Sequence, residues 1–379
     1  MDRQHLKFLD GIRAACALVV VAAHAWLEVW PVGLGRQPTG VTAALTGWLL
    51  YARFAVDVFI MVSGYCLMLP VAGTDGTLRG GALRFYLRRA RRILPPFYAA
   101  LAFSVVLIVV LVGKPTGTHW DNSLPLTGAG IAANLLLLQD FLYRGNINHT
   151  FWSIAVEWKI YFLFPLLVLA FARFGPRLTT IGVVMASSAI AVAVRHQTQL
   201  ADLTIQYIGL FALGALAAQI SLSGKLPAME KRLLAIASTI SAIAIVVLCR
   251  RWSFVQATNR FVVLDPLAAV AVLPVLIHCG TCRQSLVTRT LEFTPLVWIG
   301  TFSYSLYLIH APLLQIVWQY YVHPMRLGDA ATFAAMLLIG MPFCIGVAFL
   351  FFLVAERPFL SGRAKRRVRE ETELFAVPA

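Results

Sequence analysis

The chain returns repeatedly to long apolar runs, near residues 11–30, 48–70, 93–112, 152–172, 179–194, 203–220, 233–249, 262–279, 296–320 and 330–354. A helix of about 20 residues crosses the ~30 Å hydrocarbon core of a bilayer. Inside that core each backbone N–H and C=O must be bonded within the protein, and for segments of this length the helix meets that demand. The expected fold class is therefore an all-α integral membrane protein with about ten transmembrane helices. Composition closes off the soluble alternative, with 59% of residues hydrophobic, 13% charged and a mean hydropathy of +0.77.

In a soluble protein a net charge of +15 would point to nucleic acid, but here the placement of the charge matters more than its sum. With the N-terminus in the cytoplasm and sides alternating, most of the 32 Lys and Arg residues fall in cytoplasmic segments, as the positive-inside rule requires. Both termini are then cytoplasmic, and no nucleic-acid partner is expected. Residues 22–25, "AAHA", have the small-x-small spacing of a signal-peptidase site. Cleavage there would discard an apolar segment carrying an Arg and a His, so the first helix is expected to be retained.

The six cysteines fall in helices or near the cytoplasmic face, where disulfides are uncommon. "CGTC", Cys279 to Cys282, is one isolated CxxC without a second pair, and no metal is expected. No fixed-period repeat divides the chain. One integral domain over residues 1–355 is expected, followed by a basic, then acidic cytoplasmic tail over 356–379 that is partly disordered. The longest outer loop, 113–151, holds His119, Trp120, Asp121, Asp140, Asn146, Asn148 and His149, and loops of that length are often functional.

Ionisable side chains inside apolar runs cost several kcal/mol and mark candidate sites. In "FLDGIRAACALVVVAAHAW", residues 8–26, Arg13 and His24 are eleven positions apart, which at about 100° per residue puts them on one helix face, roughly 16 Å apart along the axis. Asp57 sits in the middle of the second run with Arg53 one turn away. Glu157 follows the entry of the fourth run, and His310 lies far along the ninth, with Tyr307 one turn below it. At about 1.5 Å per residue, His24, His310 and Glu157 all fall near 20–22 Å from the inner face. A neutral His takes a proton from an attacking hydroxyl, and a carboxylate nearby fixes its tautomer. The competing account is an interfacial Arg anchor, satisfied core histidines and a structural Arg53–Asp57 pair.

A second cluster, Arg88, Arg89, Arg91 and Arg92, lies in "LRRARRILPPFY". Arg88 with Arg91 and Arg89 with Arg92 have the i,i+3 spacing that pairs side chains on one helix face. Guanidinium forks suit phosphate oxygens. Arginines beside a membrane are equally ordinary as topology and lipid anchors.

These residues sit in blocks that resemble the acyltransferase-3 family of bacterial integral-membrane O-acyltransferases. The blocks are "FLDGIRAACALVVVAAHAW", "AVDVFIMVSGYCL", "FYLRRARRILPPFY", "FWSIAVEWKIYFLFPLL", "FSYSLYLIHAPL" and the closing "ERPF", in the family's order. The resemblance implies transfer of an acyl group, most often acetyl, from cytoplasmic acyl-CoA to a hydroxyl of a cell-surface or exported saccharide or glycolipid, in the cytoplasmic (inner) membrane. It implies His24 as base or transient acyl carrier, supported by Glu157 and His310. Arg13, Arg88, Arg89, Arg91 and Arg92 would hold the donor's phosphates, with Asp10, Asp57 and Tyr307 in supporting roles.

Two departures stand out. The second acidic residue that the family often carries after the Glu of the fourth helix is Trp158 here, followed by Lys159. Residues 1–379 also hold no C-terminal hydrolase-like domain such as some members carry. Acceptor positioning is then expected from the 113–151 loop or from a partner, such as the machinery of glycan biosynthesis. The alternative from another class is a transporter or flippase for a saccharide or lipid-linked intermediate, because proton relays at mid-membrane serve transport too.

Overall fold

The computed structural model describes residues 6–32, 36–74, 76–142, 147–197, 200, 202–224, 226–252, 254–362, 364–366, 368 and 371. Among these the structure is helical, with no strand. Eleven main helices follow in order: α1 Lys7–Val29, α2 Gly40–Ala72, α3 Gly81–Val112, α4 Trp152–Phe174, α5 Pro176–Val194, α6 Tyr207–Ser223, α7 Ala228–Arg251, α8 Phe261–Thr281, α9 Thr294–Thr301, α10 Ser303–Met325 and α11 Asp329–Phe359.

Eight of the described helices are long and apolar enough to cross a membrane, or nine when α9 and α10 count as one span. This is a multi-pass membrane architecture. Each of the ten apolar runs falls on one of these helices, with two differences in form. The run at 296–320 is broken at Phe302, where α9 and α10 meet at 78°, and the run at 203–220 becomes the 17-residue α6.

The chain sorts into two compact units. One comprises Met1–Leu9, Val56–Arg88 and Val156–Leu291; the other comprises Asp10–Ala55, Arg89–Ala155 and Glu292–Ala379. In the first, α6 packs against α5 and α8, and α8 against α7. Most of α6 is buried, which is the setting of a helix apolar on every side. Its crossing with α2 depends on two glycines. A Cβ on Gly64 would strike the Phe211 carbonyl, and one on Gly214 would strike the Met61 carbonyl, so the two backbones approach as small residues allow in membranes.

The second unit is organised around α10, nearly every residue of which is buried from Ser303 to Val317. It packs against α11 and against the end of α3. Gly300, on α9, faces the backbone of Asp10 so closely that a Cβ would collide with the Asp10 carbonyl. Pro312 interrupts α10 and removes the N–H that would bond the carbonyl one turn back, at Leu308. Asn148 Nδ2 donates to that Leu308 oxygen at 3.0 Å. A loop residue thereby completes the helix.

The acidic end of the expected tail, residues 372–379, and the loop residue Asn146 lie outside the described residues.

Candidate active site

The site is built on α1, α10 and the connection between α3 and α4, all within the second unit. His24 Nδ1 lies 2.8 Å from His310 Nε2. His310 Nδ1 is 2.9 Å from the Tyr307 carbonyl oxygen and 3.1 Å from that of Leu306. Two carbonyls accept and never donate, so His310 Nδ1 carries the ring proton and its Nε2 is the acceptor. His24 Nδ1 must then be the donor. The chain of bonds leaves His24 Nε2 with a free lone pair, the arrangement of a positioned base.

Two further histidines reach the same place from the 113–151 connection. The His24 ring centroid is 4.9 Å from that of His149 and 5.8 Å from that of His119, and His119 and His149 are 4.6 Å apart. Hydrogen bonds hold the connection in this shape. Trp120 Nε1 donates to the Val112 carbonyl at 2.9 Å, and the Asp121 carboxylate accepts from the Thr116 and Gly117 N–H groups. Thr118 Oγ1 donates to Gln315 Oε1 at 2.9 Å, and Gln315 Nε2 donates to Thr116 Oγ1 at 3.0 Å. Ser123 Oγ accepts the His149 N–H at 3.1 Å and sits 3.0 Å from its Nδ1.

Burial pushes the His119 imidazole down to about 4. Burial first, then the neighbouring His119 and His310 rings, hold His149 well below the usual histidine range. Both are neutral at neutral pH.

The other expected site residues fall in three groups. Tyr307, buried, has its hydroxyl 2.7 Å from Ser153 Oγ and donates it to the Thr150 carbonyl at 3.3 Å, tying α10 to the start of α4. Arg13 and Asp10 form an ion pair at 3.1 Å on one turn of α1, with Asp10 buried. Arg92 pairs with Glu356 at 2.8 Å, and Glu356 also accepts from Ser305 Oγ at 2.5 Å. Arg89 and Arg91 belong to the same unit, Arg91 exposed and Arg89 half-buried. Arg53 stands over the Trp152 ring at 4.9 Å.

Glu157, Asp57 and Arg88 belong to the first unit. Glu157 accepts from the Tyr161 hydroxyl, which is 2.7 Å from Ser63 Oγ. Asp57 is fully buried. Arg88 is exposed and donates to the Arg79 carbonyl. The structure thus brings His24 and His310 into contact, while Glu157 bonds Tyr161 within its own unit.

A family model for an acyltransferase domain, that of acyltransferase-3, matches residues 6–353. The chain belongs to the acyltransferase-3 family. The peptidoglycan O-acetyltransferase OatA of Listeria monocytogenes is 25% identical over 347 residues, 83% of this chain and 50% of its own. A putative peptidoglycan O-acetyltransferase of Bacillus subtilis, YrhL, is 26% identical over 82% of this chain and 49% of its own. The O-acetyltransferase OatA of Staphylococcus aureus is 24% identical over 84% and 52%. The chain spans about half the length of these curated relatives. No solved structure matches it.

Within this acyltransferase-3 chain, three polar residues at or near the site escaped the sequence. His119 and His149 stood in the 113–151 loop expected to position the acceptor, and Glu356 in the closing "ERPF" block, none of them singled out as a site residue. Glu28 is a fourth: it lies one turn beyond His24 on the same face of α1 and is 2% exposed. The signal that marked Arg13 and His24, an ionisable side chain on a shared helix face within an apolar run, was there for Glu28 as well.

Proposed function

We propose that this protein is an O-acyltransferase of the cytoplasmic membrane that moves an acyl group, acetyl in the first instance, from acyl-CoA to a hydroxyl of a cell-surface or exported saccharide or glycolipid. The observation that carries this reading is the bond chain from the Tyr307 and Leu306 carbonyls through His310 to His24, found in a chain of this family. It supplies a neutral, oriented imidazole whose Nε2 lone pair is uncommitted.

In the proposed reaction the acceptor hydroxyl attacks the thioester carbonyl while His24 Nε2 takes its proton. The C–S bond breaks, the thiolate leaves, and the imidazolium returns the proton to give free CoA thiol and an O-ester. The positive charge passing through His24 is stabilised by the His310 acceptor, itself backed by two carbonyl dipoles. No carboxylate is needed for that step, so the Trp at position 158 is no obstacle.

For the donor, Arg13 supports the assignment by position. It stands about 16 Å along α1 from His24, a distance that the extended arm of an acyl-CoA covers. Arg89 and Arg91 add guanidinium groups suited to phosphate. The named substrates of the relatives make a peptidoglycan-type saccharide the first acceptor to try.

The test is deletion in the native host with complementation by wild type or His24→Ala at matched membrane abundance, reading ester-linked acyl groups on purified glycans by mass spectrometry and proton NMR. One acyl substituent should vanish on deletion and return only with wild type. Unchanged acylation with reduced glycan export would replace this reading with the transporter.

A further inference from the structure

Three imidazoles converging on one point are more than one base requires. One ring nitrogen from each of His24, His119 and His149 lies within 4.8 Å of the others. We propose that these three histidines form a binding site for a single divalent transition ion of the zinc class, and that the ion, once bound, holds the His24 lone pair on which acyl transfer depends. The site is proposed from these residues alone, against the expectation from the sequence that no metal is held; the second clause rests on the acyl-transfer reading above.

The second nitrogen of each ring already has a polar neighbour, and for His24 the other ring N–H is donated as in most metal-binding histidines, while His119 Nδ1 accepts from an amide. His24 Nδ1 meets His310, His149 Nδ1 meets Ser123 Oγ, and His119 Nδ1 meets Asn122 Nδ2 at 3.1 Å. That leaves Nε2 of each ring as the available ligand. His149 is 9% exposed, and its Nε2 is buried with no hydrogen-bond partner among the described residues. A buried nitrogen of this kind ordinarily finds one.

Zinc–nitrogen bonds of 2.0–2.1 Å in a tetrahedral site set the ligand atoms about 3.4 Å apart. Ring nitrogens within 4.8 Å of one another therefore close by at most about 1.4 Å on capture, within the reach of small side-chain rotations. A donor set of imidazoles alone suits zinc, copper or nickel and is wrong for magnesium or calcium, which demand oxygen. Coordination by His119 Nε2 moves that ring's proton to Nδ1 and asks Asn122 to present its amide oxygen. Turning the amide forfeits the Asn122 Nδ2 bond to the His119 carbonyl at 3.0 Å, a loss that water can make good because Asn122 is exposed. His24 and His119 are only half-buried, which leaves the ion a way in.

The experiment uses the full chain purified in detergent without a polyhistidine tag, stripped with chelator, and titrated with Co²⁺ as a visible-absorbing probe, then with Zn²⁺ read by mass spectrometric metal analysis. One ion per chain is expected. His119→Gln and His149→Gln should each weaken binding at least tenfold, and Ser123→Ala about tenfold through the orientation of His149. His196→Gln, at an exposed position outside the site, should bind like wild type. Should either ligand variant fail to fold, Ser123→Ala and Asn122→Ala still test the site.

Binding that is absent, or unchanged by all four site variants, overturns the site and leaves the base role of His24 untouched. At saturating Zn²⁺, acyl transfer should fall at least tenfold and recover with chelator. Full occupancy with transfer unimpaired or raised would overturn the second clause and the base role of His24, while the ion site stands.

Discussion

The second unit holds two buried polar clusters on the same helices, and they solve the problem of burial in opposite ways. At Arg92, Glu356 and Ser305, a carboxylate with no exposed surface is compensated by a guanidinium and a hydroxyl. At His24, His310, His119 and His149 the side chains are imidazoles, bonded to one another, to backbone carbonyls and to the Ser123 hydroxyl, with His149 Nε2 left unpaired among the described residues. Ser305 and His310 are only five residues apart on α10, about 7.5 Å along the axis. A charged cluster fails when one partner is removed, because a naked charge stays behind. A neutral one leaves only an unpaired dipole, about 1–3 kcal/mol, and its chief loss is chemical. The first kind anchors helices; the second can accept and release a proton.

The sharpest way to break this contrast is at His24. His24→Ala should lower acyl transfer by ~10²–10⁴-fold, the range of a positioned general base, with membrane abundance and thermal stability close to wild type. A variant that unfolds in detergent would make the imidazole cluster a structural element like the other. Next comes the charged cluster, where the two partners are not equivalent. Arg92→Ala strands a fully buried carboxylate, which approaches the ~3–5 kcal/mol cost of breaking a buried pair. Glu356→Ala strands a guanidinium with 35% of its side chain exposed, able to swing towards water. Thermal melts should therefore fall further for Arg92→Ala than for Glu356→Ala, and Glu356→Gln should partly rescue Arg92→Ala. The reverse order, or no rescue, would show that Glu356 draws its stability from elsewhere.

The contrast also explains what could be read in advance. The helices were legible because the rise per residue is fixed; counting along three apolar runs gives His24, His310 and Glu157 one depth, and of these His24 and His310 meet while Glu157 bonds Tyr161 in the other unit. The bend at Phe302 was not, since apolarity continues unbroken through a change of direction. His119 and His149 carry no periodicity. Their place follows from the Trp120 bond to Val112, the Ser123 clasp on His149 and the Asn148 bond to the Leu308 carbonyl, none of which a local pattern announces. Glu356 looked like the start of a tail because Pro358 and a basic stretch follow it, yet α11 carries on through a π-helical turn at Phe352–Glu356 that turns its side chain inward.

A smaller effect is expected at His310, which positions His24. His310→Ala should reduce kcat by roughly 10–100-fold, the cost typical of losing an outer hydrogen-bonding partner, while the KM for acyl donor stays within about twofold. A matching rise in that KM would place His310 in donor binding and weaken the bond-chain argument. A purely structural role would lower abundance and leave the kinetics of the remaining enzyme unchanged.

The smallest effect belongs to Asn148, which ties the segment carrying His149 to α10. Its amide replaces the donor that Pro312 lacks, and its Oδ1 accepts from the Thr150 N–H at 3.0 Å and the Thr150 hydroxyl at 2.7 Å. Asn148→Ala leaves the Leu308 carbonyl buried and unpaired, worth about 1–3 kcal/mol. It also loosens the segment that carries His149. Pro312→Ala restores an N–H to α10 and makes the Asn148 bond redundant there. The double variant should therefore be more stable than Asn148→Ala alone, by thermal melt in detergent. Strictly additive losses would mean that Pro312 and Asn148 act independently, and the account of how the loop is held on α10 would fail.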